Sequence, residues 1–116
     1  MNLHSRKSYG AFIRTFTAAT LSEQWEALVA KVGGKVFCLL GDDSGVLVFK
    51  VSELAFDGLV ELPGSDQAAY CAKRQWVRVE PGALEEDLLK GYIGQSYQAI
   101  AAKLTRKQRA ELGISI

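Results

Sequence analysis

The sequence predicts an α+β domain, and three observations carry that expectation. Residues 84–104 repeat their apolar side chains with the 3.6-residue period of an amphipathic helix, while residues 35–40, 46–51 and 70–80 read as strands, by apolar runs or by alternation. The runs are separated by tight-turn chemistry, Gly33-Gly34 and then Gly41-Asp42-Asp43-Ser44-Gly45. At 116 residues and 48% hydrophobic side chains, the chain forms one domain whose core needs neither disulfide nor metal.

Taken in order, residues 6–16 space Tyr9, Phe12, Ile13 and Phe16 three and four apart, one stripe of a first helix, with Arg6, Lys7 and Arg14 on its other faces. Residues 1–5 read as a frayed terminus; their His4 is the sole histidine and has no second ligand nearby to make a metal site. From Leu21 two periods compete. Leu21, Trp25, Leu28, Val29 and Val32 fit a helix, whereas Trp25, Ala27 and Val29 fit a strand. Because a hairpin at Gly33-Gly34 needs a strand on both sides, residues 25–32 are expected to be the first strand of a meander continued by residues 35–40 and 46–51.

Ser52 is placed to N-cap the next helix, with Glu53 in the first turn where the helix dipole favours an acid. Leu54, Phe56, Leu59, Val60 and Leu62 supply its buried side, and Pro63-Gly64 ends it. Glu53, Asp57 and Glu61 recur every four residues as an acidic stripe, expected to be a solvated face since no histidine stands beside it.

Residues 70–80 then alternate. Cys71, Gln75, Val77 and Val79 face one way and Tyr70, Arg74, Trp76 and Arg78 the other, setting an indole between two guanidinium groups. Such a surface suits phosphates or stacked bases. In the competing arrangement Trp76 packs under a helix, and Arg74 and Arg78 are paired with carboxylates such as Glu85 or Glu86.

After Pro81-Gly82 comes the longest helix, acidic at its start (Glu85, Glu86, Asp87) and carrying Lys103 at its end, as the macrodipole prefers. Its Gly91 and Gly94 are expected to admit a close neighbour. Thr105, with Gln108 in capping-box position, opens a final short helix closed by Gly113. Lys103, Arg106, Lys107 and Arg109 make the densest basic cluster in the chain, a solvated face or a phosphate contact.

A net charge of +1 lacks the strongly basic signature of an obligate nucleic-acid binder, though it leaves room for local patches. Cys38 and Cys71 both stand in apolar runs and read as small buried hydrophobes of a reducing compartment. No run reaches the roughly 18 apolar residues that span a bilayer, and no signal pattern opens the chain, so a cytoplasmic protein is expected; the residues do not state its oligomeric state, and a monomer is favoured. One terminal histidine leaves no triad, and no glycine-rich phosphate loop or metal cluster occurs; neither catalysis nor a cofactor is expected.

Three features, Val32-Gly33-Gly34-Lys35-Val36-Phe37, then Lys73-Arg74-Gln75-Trp76-Val77, then Ser96-Tyr97, give the chain an order and spacing that resembles the MmcQ/YjbR family. The resemblance implies an antiparallel sheet of about four to six strands with helices packed on one side, the two-layer CyaY-like architecture of frataxin-like proteins. It also implies a double-wing type of DNA binding, with Lys35, Lys73, Arg74 and Trp76 at the matching positions. Charge adds Arg78, Lys103, Arg106, Lys107 and Arg109 to the candidate contacts. A frataxin-like role with iron would need a dense acidic ridge, and residues 6–16 hold no acid. The alternative function is a protein-interaction or ligand-sensing module, in which Tyr70 and Trp76 anchor a partner and Glu53, Asp57 and Glu61 meet its basic groups.

Overall fold

The computed structural model describes residues 2–115. In chain order it contains α1 (Arg6–Ile13), β1 (Ala19–Gln24), β2 (Ala27–Val32), β3 (Lys35–Gly41), β4 (Leu47–Lys50), α2 (Glu53–Leu59), β5 (Ser65–Gln67), β6 (Trp76–Val79), α3 (Glu86–Ala101) and α4 (Arg106–Leu112). The six strands form one antiparallel sheet in the order β1-β2-β3-β4-β6-β5. The chain meanders through four strands, crosses α2, lays β5 at the far edge and returns β6 into the gap between β4 and β5. Tyr9 and Ile13 of α1, Phe56 and Leu59 of α2, and Leu89 and Ile93 of α3 share one core with Cys38, Phe49, Val77 and Val79 of the sheet. Helices thus cover one face, the two-layer arrangement that the resemblance implied.

Local chemistry fixes the helix ends. Ser52 Oγ accepts from Ala55 N–H, and Thr105 completes its capping box with Gln108. A register shift between Ala30 and Lys31 leaves Phe37 as an extra residue of β3, so that Phe37 and Cys38 both enter the core. There Phe37 meets Phe16 and Tyr97 edge-on, while Tyr97 Oη donates to Thr17 O at 2.6 Å. Ser96 Oγ, also fully buried, lies 2.6 Å from Lys50 O and ties α3 to β4. The hydroxyls of Ser96-Tyr97 are therefore spent on packing the helix against its neighbours. Burial pushes the Cys38 thiol up to about 12 and holds the Tyr9 phenol far above its ordinary range.

Several expectations need correction. Residues 25–32 are not one strand: Trp25-Glu26 is the turn of a hairpin, and β1, unforeseen, precedes it. Both turn residues have positive φ, 52° and 56°, a region that costs an ordinary L-residue about 1–2 kcal/mol, so nothing in their chemistry announced a turn. The strand expected over residues 70–80 is confined to Trp76–Val79. Tyr70 and Arg74, at φ 62° and 61°, break the extension, and the Gln67 side chain ties the loop together, donating to Ala68 O and Cys71 O and accepting from Arg74 N–H. α1 stops before Phe16, and Leu54 and Leu62 are exposed instead of buried. Nor do residues 2–5 fray, Met1 lying outside the described residues: Leu3 is buried and His4 Nδ1 is 2.7 Å from Gly45 O. A Cβ on Gly91 would meet nothing, so that glycine admits no close neighbour. Cys71 is half-buried on the opposite side of the sheet from Cys38.

Candidate functional site

The helix-free face of the sheet carries an apolar cleft of about 320 Å³. Its floor comes from three strands: Val36 and Leu39 of β3, Val48 of β4 and Trp76 of β6. Antiparallel pairing aligns them, since Leu39 stands opposite Val48, and Val48 opposite Arg78, two residues beyond Trp76. Its walls are the β1–β2 hairpin tip, through Trp25, and the β5–β6 loop, through Tyr70, Cys71 and Ala72. Trp25 is 69% exposed and Tyr70 fully so. Trp76 therefore lies on the open face, half-buried, and not beneath a helix.

The residues expected to bind fall into two groups. Arg74 does not share a strand face with Trp76; from its turn it reaches α2, where Nη2 lies 2.7 Å from Asp57 Oδ2 and Nη1 3.5 Å from Glu53 Oε1. Hydrogen bonding to Arg74 holds the Asp57 carboxyl below its usual range. The acidic stripe is thus occupied by the chain's own arginine, with Glu61 beyond the helix end. Arg78 stands between Val48 and Asp66 in the sheet and lies 3.4 Å from Glu80. Glu86, one proposed partner, instead accepts from Leu3 N–H at 2.8 Å.

The lysines differ. Lys35, Lys73, Lys103 and Lys107, together with Arg106, are exposed and have no ion-pair partner among the described residues. Arg109 is half-buried and donates to Ala102 O. Two further lysines, which sequence reasoning passed over, are half-buried and likewise have no ion-pair partner among the described residues: Lys31 stands opposite Val36 at the cleft floor, and Lys50 directly opposite Trp76. A Cβ on Gly33 would fall 2.6 Å from a Leu104 methyl, so the β2–β3 turn, two residues before Lys35, abuts the α3–α4 junction that Lys103 adjoins. Lys50 reports the crowding: burial and then the charge of Lys103 lower its pKa, against a smaller opposing effect of Glu53. No local signal marked Lys50, because the β4–β6 pairing that sets it beside Trp76 joins residues 26 apart in sequence.

Among the described residues no group of three or more His, Cys, Asp or Glu is placed to hold a metal ion, and no helix is long and apolar enough to cross a membrane.

No curated protein matches this sequence. Among solved structures, a Deinococcus radiodurans protein described by the family domain DUF419 superposes with a TM-score of 0.83 at 21% identity, over 94% of this chain and 88% of that one. A Pseudomonas syringae protein, solved as a structural-genomics target, superposes with a TM-score of 0.71 at 18% identity, over 83% of this chain and 98% of that one. At such identities the likeness is one of fold, and both share it across most of their length. The sequence itself is matched by the YjbR family model over residues 14–99, from the end of α1 through most of α3 and including the whole cleft; the chain belongs to the YjbR family.

Proposed function

We propose that this chain is a DNA-binding module whose phosphate contacts are the lysines gathered around Trp76, not the arginines that flank it in sequence. The observation carrying this reading is the set of cations without carboxylate partners among the described residues, Lys31, Lys35, Lys50, Lys73 and Lys103, toward the end of the sheet where Trp76 lies. Lys50 and Lys103 repel one another, and a phosphate oxygen between them would relieve the repulsion. Arg106 and Lys107 extend the patch along α4; Arg74 and Arg78 already have partners and contribute less. Binding of this kind is driven by counterion release, and the reading includes no chemical step on the nucleic acid.

Titration with a DNA fragment at rising salt tests it. Log affinity should fall linearly with log salt, and Lys35→Gln or Lys103→Gln should each reduce the slope by about 1. Affinity indifferent to salt, or absent at low salt, would overturn the reading.

A second reading has its own observation: Trp25 and Tyr70 stand exposed beside an apolar cleft, as the anchors of a protein interface do. It would be favoured by a protein partner that Trp76→Ala loses, in a chain that shows no DNA binding under any salt condition.

A further inference from the structure

We infer that the cleft on the helix-free face is a base-stacking platform, so that the nucleic acid this chain takes is single-stranded; the inference rests on the reading above. On the helix side the aromatic rings are used against one another, Phe16 stacked on Tyr97 at 4.9 Å between centroids and Phe49 on Tyr92 at 6.3 Å. Among the described residues Trp25, Tyr70 and Trp76 have no partner ring, although all three border the same cleft. A duplex hides the faces of its bases in its own stack, whereas a single strand can turn them outward onto such rings. The cleft lining holds no charged residue, and cations lie around it: Lys31 opposite Val36, Lys50 opposite Trp76, and Lys73 three residues before Trp76. Apolar rings at the centre, and at the rim lysines without an ion-pair partner among the described residues, match a strand whose bases point inward and whose phosphates point outward. The small net charge agrees, because a short single strand offers fewer phosphates to neutralise than a duplex face.

The chain provides its own probe. Its two tryptophans both line the cleft, so fluorescence excited selectively at tryptophan, beyond tyrosine absorption, reports on this site alone. The full chain is titrated at low salt with an oligothymidylate and with a mixed-sequence duplex of equal length. The single strand is expected to quench the fluorescence and to bind at least about 10-fold more tightly than the duplex. Trp76→Ala should weaken it about 5- to 100-fold, as the removal of one stacking ring does elsewhere. Trp25→Ala, at an exposed hairpin tip where alanine keeps the same left-handed backbone, should also weaken it, with thermal unfolding confirming that the variant folds. Duplex binding as tight as single-strand binding, with no quenching, would sink the stacking inference and leave the phosphate reading standing. Failure of both nucleic acids to bind would remove both. Single-strand affinity unchanged in both tryptophan variants would likewise overturn the platform.

Discussion

Two hairpin turns of this sheet share one backbone shape and differ in everything else. The β2–β3 turn, Gly33-Gly34, has φ of 58° and 79°; the β1–β2 turn, Trp25-Glu26, has 52° and 56°. Each is a two-residue connection with positive φ at both central residues, the geometry that suits the twist of antiparallel strands. In the first, glycine meets the requirement without strain, and the turn is pinned by Leu104 beneath it. In the second, two bulky residues occupy the same backbone at a cost, and the indole stands largely in solvent at the rim of the cleft. Where local chemistry and backbone agree, the turn serves folding; where they conflict, it presents a side chain.

That contrast can be broken or sharpened. The largest effect is expected at the glycine turn: Gly33→Ala should cost about 2–3 kcal/mol in chemical denaturation, from left-handed strain plus the collision with buried Leu104, while Gly34→Ala, whose Cβ meets nothing, should cost about 1. Equal losses at the two positions would show that Leu104 does not pin the turn. Replacing Trp25-Glu26 by Asn-Gly should work in the opposite direction, raising stability by about 1–2 kcal/mol while weakening oligonucleotide binding. A variant with unchanged stability would mean that the wild-type turn is not strained.

The two thiols carry the comparison to the faces of the sheet. Cys71, at the cleft, should react with iodoacetamide in the folded protein, whereas Cys38 should react only on unfolding. With its folded pKa raised from 9.0 to about 12, Cys38 contributes stability that is complete below about 9 and is lost as pH climbs toward 12; Cys38→Ala should flatten that alkaline decline. The smallest effect concerns the loop that carries Tyr70. Arg74→Gln should return the Asp57 carboxyl to its usual range in an NMR titration. Its stability deficit, present above the ordinary carboxylate pKa of about 4, should vanish as pH falls through the lowered pKa of the wild type. A deficit that persists in acid would show that Arg74 acts through something other than Asp57.

Much of the fold was legible in the residues. Gly33-Gly34, the Ser52 and Thr105 caps and the period of α3 each state a local preference that the structure obeys. What escaped was decided at a distance. Trp25-Glu26 carries no turn chemistry, which hid β1, and the three residues of β5 are too few to show a period. The alternation over residues 70–75 belonged to a loop held by Gln67, a side chain with no local mark of that role. The same holds for the site. The open face was one of two placements that the residues left for Trp76, and its neighbours there were expected along its own strand. They lie instead across the sheet, on β3 and β4 and at the tip of the β1–β2 hairpin, because register and not sequence proximity sets who stands beside an indole.

The insertion of β6 has a consequence for how the molecule is made. β1 to β4 can zip together in the order of their synthesis, but β5 has no strand to join until residues 76–79 have left the ribosome, since its sole neighbour in the sheet is β6. Sheet closure is thus a late event in biogenesis, and the same step delivers Trp76 to the cleft floor and fixes the loop bearing Tyr70. A nascent chain that has not yet placed β6 would have its meander but no cleft, because the floor at Trp76 and the wall at Tyr70 both wait on that strand.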